Sequence, residues 1–228
     1  MYPLDFIKVL GVTFIALFPI VDPIGGAPIF FSLTRHYPQS AQKVLARKIA
    51  AYSFTLLAAS FLFGPEVLAF FGITLVVLQI TGGFIVAAMG WRLLNQEGGT
   101  SFEKQESGTL EDALEHAFYP LTLPLTVGPG AISVAITVGA HLRHQAGLGP
   151  VHGYPRHFLA ALAGIFLVCV LVGLCYGGAD RLVTMLGKSG TNILTRLSAF
   201  ITMAIGVQIL WNGLSSGLPE MLAHTSAP

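Results

Sequence analysis

The most constraining feature of this sequence is a triplet of prolines that occurs twice, each time inside a long apolar segment. The spacing P-x3-P-x4-P is the same in both copies, and the second copy lies 101 residues after the first. A proline inside a helix removes a backbone hydrogen bond and costs roughly 3 kcal/mol, so six of them in two apolar segments indicate broken helices. The predicted helix-break residues are Pro19, Pro23, Pro28, Pro120, Pro124 and Pro129.

The composition places the chain in a membrane. Apolar residues make up 54% of the sequence and charged residues 10%, with a mean hydropathy of +0.72, whereas about 25% of residues are charged in ordinary soluble domains. A chain of 228 residues has room for six membrane spans of about 20 residues each. The net charge of +1 gives no indication of a nucleic-acid partner. We therefore expect one all-α transmembrane domain over residues 1–228, surrounded by the lipid bilayer.

Apolar runs and helix-breaking residues predict six transmembrane helices in two halves of three. The predicted spans lie near residues 6–34, 46–63, 67–94, 116–140, 157–179 and 193–214. Repeat one covers about 6–94, repeat two covers about 116–214, and residues 95–115 link them. Because each half has an odd number of spans, the second is inverted in the membrane, as in many secondary transporters. The first and fourth helices are the broken ones.

The distribution of Lys and Arg predicts the orientation. One side of the predicted bundle carries Arg35, Lys43, Arg47, Lys48, Arg92, Lys104, Arg181, Lys188 and Arg196, and the other carries Lys8, Arg143 and Arg156. Short cytoplasmic loops collect basic residues. The larger set is therefore expected in the cytoplasm, with both termini outside it.

Asp22 is the carboxylate nearest the middle of the first predicted span. An aspartate at the bilayer centre costs roughly 2.5 to 3.5 kcal/mol on insertion scales, and such residues usually face a bundle interior or a wet cavity. We predict that Asp22 is part of a binding site, where it meets an ammonium group or carries a coupling proton. The alternative is a neutral Asp22 that only accepts hydrogen bonds from the interrupted backbone.

Small residues flank the last proline of each triplet. Pro28 and Pro129 suit the first position of a resumed helix, and neighbouring glycines let a ligand approach the backbone. Two helix N-termini would then point free N–H groups at a shared anionic group, most simply a carboxylate. The alternative is that the glycines only allow close helix packing. The predicted substrate-binding residues at the breaks are Gly25, Gly26, Thr126, Gly128 and Gly130.

Gln79 is the other predicted substrate-binding residue, because it is polar within the apolar run of the third span. Similar polar residues, which we interpret as groups that hydrogen bond between helices, are Thr81, Thr195, Ser198, Thr202 and Gln208.

No motif for a cofactor, a metal or a catalytic centre is evident. The ATP-binding pattern G-x-x-x-x-G-K-[ST] is absent, so energy is expected to come from an ion gradient or from the gradient of the solute. The histidines near the end of the fourth span have no Cys or carboxylate neighbours to complete a metal site. We expect a protein that is not an enzyme, with no catalytic residues, no bound cofactor and no metal.

The two proline segments resemble the MarC family of integral membrane proteins, also called the neutral amino acid transporter family. They read FPIVDPIGGAPIFFSLT from Phe18 and PLTLPLTVGPGAI from Pro120, and the resemblance covers essentially the whole chain. It implies a multi-pass protein of a bacterial or archaeal inner membrane, in a family whose members move small neutral amino acids such as alanine and glycine. Asp22 stands where the family commonly has Asn, and Gly26 where it often has a further Asn.

The sequence is therefore interpreted as a secondary transporter of small neutral amino acids that works by alternating access. The substrate carboxylate would lie at the two helix breaks and its ammonium at Asp22, with a proton or Na⁺ as the coupling ion. Two alternatives remain open at this point. One is a cation exporter or channel in which Asp22 binds the ion, and the other is a membrane scaffold that transports nothing.

Overall fold

The computed structural model describes residues 3–95, 110–119, 121–145 and 155–225. Within these ranges the chain forms eight α-helices, one six-residue π-helical segment and no β-strand, which confirms the all-α class. The α-helices are α1 (Pro3–Val21), α2 (Pro23–Thr34), α3 (Gln39–Phe70), α4 (Leu75–Asn95), α5 (Leu110–Glu115), α6 (Pro129–Gln145), α7 (Pro155–Gly177) and α8 (Ala179–Thr225). The π-helical segment Leu121–Thr126 is called the π segment below.

Five helical stretches of the described chain are long and apolar enough to cross a membrane. They are Phe6–Thr34, Gln39–Phe70, Leu75–Asn95, Arg156–Gly177 and Ser189–Gly217. The predicted fourth span, 116–140, is not among them, because the chain there is divided between the π segment and α6. Most of the predicted linker 95–115 lies outside the described residues.

Helix α3 is longer than the predicted span 46–63 and continues through Pro65 to Phe70. The turn that contains Pro65 is supported by α6. The guanidinium of Arg143 donates to the carbonyl of Leu62 and forms an ion pair with Glu66.

Helix α8 is kinked at Gly187, where φ is 63° and ψ is −177°. Glycine adopts a positive φ at little cost because it has no Cβ atom. The kink separates a short first segment from the membrane-spanning stretch Ser189–Gly217.

The helices pack in matching pairs. Helices α1 and α2 lie against α7, the π segment and α6 lie against α3, and α4 lies along α8. Helices α3 and α7 also pack on each other. Large, fully buried side chains of this core include Leu17, Phe30, Leu45, Ile49, Leu57, Phe61, Ile165, Val168, Val172 and Tyr176.

The outer surface of the bundle is apolar. Ile15, Phe84 and Phe166 are each more than half exposed, and they belong to three different apolar stretches long enough to span a membrane. Exposed apolar surface of this extent is unusual for a soluble protein. It fits contact with lipid.

Helices α4 and α8 run antiparallel with their backbones in close contact. A Cβ atom on Gly90 would lie 2.5 Å from the backbone nitrogen of Met203, and one on Gly206 would collide with the backbone of Ala87. Small residues at such contacts let helices approach closely within a membrane. The two contacts mirror each other, because the glycine belongs to α4 in one and to α8 in the other.

Candidate functional site

The first helix break is one residue wide and lies at Asp22. Helix α1 ends at Val21 and α2 begins at Pro23, while Asp22 adopts the left-handed conformation with φ 45° and ψ 63°. Asp tolerates this conformation better than most residues with a Cβ atom. The Asp22 amide still donates to the Phe18 carbonyl, and the Gly26 amide donates to the Asp22 carbonyl, each at 2.9 Å.

The side chain of Asp22 caps the N-terminus of α2. Its Oδ1 accepts a hydrogen bond from the Gly25 amide at 3.0 Å, which is the usual role of an N-cap residue. The Ser198 hydroxyl of α8 lies beside the same carboxylate, because a Cβ atom on Gly25 would collide with both side chains. The side chain of Asp22 thus lies where α2 packs against α8.

This cap changes two expectations about the first break, namely that the helix resumes at Pro28 and that a substrate carboxylate binds at its N-terminus. Helix α2 begins at Pro23 and not at Pro28, which lies inside α2, and Pro19 lies inside α1. A proline at the first position of a helix sacrifices no hydrogen bond, and the Asp22 cap completes that turn. The predicted substrate carboxylate at this N-terminus is therefore replaced by the protein's own carboxylate.

The second break is spread over the π segment. The Thr122 amide bonds the Ala117 carbonyl at 3.1 Å, and the Val127 amide bonds the Thr122 carbonyl at 2.8 Å, each five residues back. Leu123 is extended, with φ −108° and ψ 126°. This residue stands 101 positions after Asp22, so the two breaks occur at equivalent points of the repeated motif.

Helix α6 begins at Pro129, as predicted. Pro124 lies within the π segment, and Pro120 lies outside the described residues. The positions of the prolines thus agree with the prediction better in the second copy than in the first.

A cavity of about 400 Å³ lies between the two breaks. Its lining includes six of the seven predicted substrate-binding residues, namely Asp22, Gly25, Gly26, Thr126, Gly128 and Gly130. The remaining walls come mainly from α4 and α8. Residues far apart in the sequence, from both copies of the motif, therefore share one internal space.

Gln79 is the exception, and the prediction that it faces the cavity is corrected. It does not line the cavity. Its Cβ atom lies 3.1 Å from where a Cβ atom of Gly213 would be, so this part of α4 packs against α8. An apolar run around a polar residue does not reveal which helix face the residue occupies.

The two breaks give the cavity opposite electrostatic character. The Asp22 carboxylate supplies a negative group at one wall. At the other, Gly128 precedes α6, Gly130 and Ala131 lie in its first turn, and all three line the cavity. Among the described residues no side chain caps this N-terminus, so its N–H groups and helix dipole favour an anionic group.

Hydroxyl groups of α8 complete the wall beside Asp22. Thr195, Ser198 and Thr202 line the cavity, and their spacing of three and four residues places them on one helix face. The sequence identified these residues only as polar groups in an apolar helix. Their position beside Asp22 depends on how α8 packs on α2, and no local sequence pattern reveals that packing.

The cavity extends toward the end of the bundle at which α2 and α4 end. Leu33 lies in the last turn of α2, and Arg92 and Leu93 lie in the last turn of α4, and all three line the cavity. Arg92 places a cationic group on this part of the lining. Within the described chain, no three His, Cys, Asp or Glu residues lie together in a way that could hold a metal ion.

The fold and the cavity define a multi-helix integral membrane protein with two interrupted helices around an internal site. The family model for MarC family integral membrane proteins matches residues 7–218. The chain therefore belongs to the MarC family, as the repeated motif indicates.

Relatives span almost the whole chain. UPF0056 membrane protein YvbG of Bacillus subtilis is 31% identical over 210 residues, which cover 91% of this chain and 95% of the relative. UPF0056 membrane protein MJ1677 of Methanocaldococcus jannaschii is 31% identical, with 90% and 95% covered. UPF0056 inner membrane protein MarC of Salmonella typhimurium is 27% identical, with 92% and 96% covered. No solved structure matches this chain.

Proposed function

We propose that this protein is a secondary transporter of small neutral amino acids, such as alanine and glycine, that works by alternating access. The observation that carries the proposal is the pairing of two opposite groups across one cavity. Asp22 supplies a carboxylate at the first break, and α6 supplies an open helix N-terminus at the second. A neutral amino acid carries one positive and one negative group, and so matches both.

In this binding mode the substrate ammonium pairs with Asp22 and the substrate carboxylate lies at the start of α6. One carboxylate oxygen of Asp22 already accepts the Gly25 amide, which orients the side chain. A carboxylate has about four lone-pair sites, so acceptor capacity remains for an ammonium group. The volume of about 400 Å³ falls in the usual range of small-molecule sites.

The packing pairs support an inverted repeat. The helices of the first break pack on α7 and those of the second break on α3, while α4 pairs with α8. If each element is replaced by its counterpart in the other half, the packing of α1 and α2 on α7 becomes the packing of the π segment and α6 on α3. The pair of α4 and α8 stays the same. The mirrored contacts of Gly90 with Met203 and of Gly206 with Ala87 follow the same exchange. Many secondary transporters are built this way and rock one repeat against the other.

The lining residues also suggest which side the cavity faces. Its Arg92 end belongs to the side that carries most Lys and Arg residues, which the positive-inside rule assigns to the cytoplasm. A hydrogen bond of 3.3 Å from Gln39 to Asp180 joins the starts of α3 and α8, near several of these basic residues. We therefore propose an inward-facing state, in a bacterial or archaeal inner membrane, with both termini outside the cytoplasm.

Coupling to a proton or Na⁺ is assigned to Asp22, which is the only carboxylate among the described residues that line the cavity. Because the ion and the substrate ammonium would both need this carboxylate, binding of one excludes the other, which couples their movements as an exchange. The other ionisable side chains on the described lining are those of Tyr119 and Arg92.

The test is uptake by purified protein in lipid vesicles, measured with labelled alanine and glycine under an imposed proton or Na⁺ gradient. Acetate and methylamine, which each carry only one of the two charged groups, serve as competitors. We expect the imposed gradient to accelerate uptake. We also expect acetate and methylamine each to inhibit uptake less than unlabelled alanine does. Vesicles without protein provide the baseline, and absence of uptake above it for every neutral amino acid contradicts the proposal.

A cation exporter or channel is the second candidate, and the hydroxyl groups beside Asp22 favour it. Ser198 lies beside the carboxylate, and Ser198 and Thr202 both line the cavity, so several oxygen atoms are available to a cation. Flux of Na⁺ or K⁺ in the absence of amino acid, lost on Asp22→Gly, would support this candidate. Vesicles that pass neither ions nor amino acids would instead indicate a scaffold.

A further inference from the structure

Tyr176 of α7 connects the two helix breaks from behind the cavity. Its side chain is buried, and its ring stacks on that of Phe30 in α2, with ring centres 4.8 Å apart and planes 15° apart. Its hydroxyl lies 3.1 Å from Oγ1 of Thr126 in the π segment. Tyr176 does not line the cavity, so any effect on a ligand must act through its neighbours.

The direction of the Tyr176 hydrogen bond follows from the bonding of Thr126. The Thr126 hydroxyl lies 2.8 Å from the Leu121 carbonyl oxygen, which can only accept. A threonine hydroxyl has one hydrogen to donate. It is therefore used on Leu121, and Tyr176 donates to Thr126.

The Tyr176 hydroxyl also lies close to Gly26, in the first turn of α2 after the first break. A Cβ atom on Gly26 would lie 2.5 Å from this hydroxyl oxygen and 3.3 Å from the nearest ring carbons. The absence of a side chain at Gly26 is thus what admits the hydroxyl. Since Gly26 and Thr126 both line the cavity, the hydroxyl acts as a spacer between its two walls.

We propose that Tyr176 is a positioning residue that sets the separation of the two cavity walls and thereby selects α-amino acids over longer β- and γ-amino acids. The inference rests on the proposed function. In an α-amino acid both charged groups are attached to one carbon, whereas each added methylene group moves them apart. A fixed separation between the wall that carries Asp22 and the wall that carries Thr126 favours one of these lengths.

The first test compares alanine with β-alanine in Tyr176→Phe. Loss of a buried hydrogen bond of this kind corresponds to about a tenfold change in an equilibrium constant. We expect the KM for alanine to rise about tenfold, the maximal rate to stay within about twofold, and the preference for alanine over β-alanine to fall. Tyr52→Phe is the matched control, because Tyr52 lies on α3 outside the cavity lining. An unchanged preference, or equal loss for both substrates, overturns the inference.

The second test measures the spacing without any substrate. Gly26→Ala places a methyl group against the Tyr176 hydroxyl, so we expect a lower melting temperature in detergent. Adding Tyr176→Phe removes the oxygen and leaves the ring carbons at 3.3 Å, so the double variant should melt closer to the wild type than Gly26→Ala alone. Additive losses contradict the spacer role.

The two tests separate the possible failures. No uptake of any amino acid by the wild type contradicts the proposed function and, with it, the selectivity. The melting experiment then still decides whether Tyr176 and Gly26 set the separation of the walls. Uptake by the wild type with an unchanged preference in Tyr176→Phe contradicts the selectivity alone.

Discussion

The two helix breaks share one proline spacing but differ in how the backbone is interrupted. At the first break a single left-handed residue, Asp22, separates two regular helices and caps the second with its own carboxylate. At the second break the chain loosens into the π segment, and α6 then begins at Pro129. The cavity wall is therefore anionic at one break and lined by an open helix N-terminus at the other.

This difference shows how a duplicated motif can supply two unlike half-sites. The equivalent residues Asp22 and Leu123 both leave the helical conformation, but only Asp22 carries a polar side chain. Its carboxylate fills the place at the N-terminus of α2 where an external anion would bind. In the proposed function the anion site is thus left to α6 alone, and the first break is suited to a cation.

Replacement of Asp22 should have the largest effect, and Asp22→Gly is the cleanest variant. Glycine keeps the left-handed backbone without strain, while alanine there costs about 1 to 2 kcal/mol. Removing one partner of a desolvated charge pair costs about 2 to 5 kcal/mol, so we expect uptake to fall by at least about 30-fold in both variants. Membrane insertion, measured as the yield of folded protein, should be unchanged.

Two further variants sharpen this prediction. Asp22→Asn keeps the cap and tolerates the left-handed backbone but cannot carry a proton, so uptake that persists without its pH dependence would indicate proton coupling. Leu123→Ala alters the equivalent residue of the second break, which does not line the cavity, and should retain most uptake. Normal transport by Asp22→Gly would show that this residue has only a structural role.

Gly130→Ala should weaken substrate binding through the second break. Its new Cβ atom would collide with the side chain of Val86 and push the first turn of α6 out of place. An anion at a helix N-terminus gains up to about 2 kcal/mol in favourable sites, so we expect KM to rise about tenfold. Adding Val86→Ala should restore much of the affinity, and Gly11→Ala, where a Cβ atom meets open space, is the control. A normal KM for Gly130→Ala would show that the start of α6 is not part of the substrate site.

The third helices of the two repeats should respond equally, in contrast to the breaks. Gly90→Ala and Gly206→Ala each press a methyl group against the backbone of the opposite helix. Overpacking of this kind costs about 1 to 3 kcal/mol, which corresponds to a melting temperature lower by roughly 2 to 12 °C. A large loss for one variant with none for the other would break the proposed symmetry.

The smallest expected effect concerns His36, which follows α2 in the loop before α3. Burial lowers its pKa from the ordinary value of 6.5, and Coulombic interactions with His116 and Arg35 lower it further. The unfolded chain therefore binds more protons near pH 6, so stability is complete above pH 6.5 and falls as the pH drops below it. His36→Gln should melt with a weaker dependence on pH between 7 and about 5.5. An unchanged dependence would exclude His36 as its source.

Much of this architecture follows from local sequence. Helix class and membrane character come from composition, since long apolar runs with few charges cannot be buried in a soluble domain of this size. The break region around Asp22 and the start of α6 at Pro129 follow from the loss of the proline N–H, a strictly local effect. The position of the first restart was wrong by five residues, because capping by Asp22 competed with the rule applied to Pro28.

The tertiary structure alone decided which side chains meet at the cavity. Ser198 of α8 and Arg92 of α4 line the same cavity as Asp22 although they lie 176 and 70 residues from it in the sequence, and Tyr176 of α7, which does not line the cavity, contacts Thr126 from 50 residues away. Gln79 shows the converse, since it resembles these polar residues in its sequence context but faces a helix contact. Which face of a helix turns inward depends on the packing of every neighbouring helix, and a chain that is apolar on all sides carries little periodic signal to reveal it.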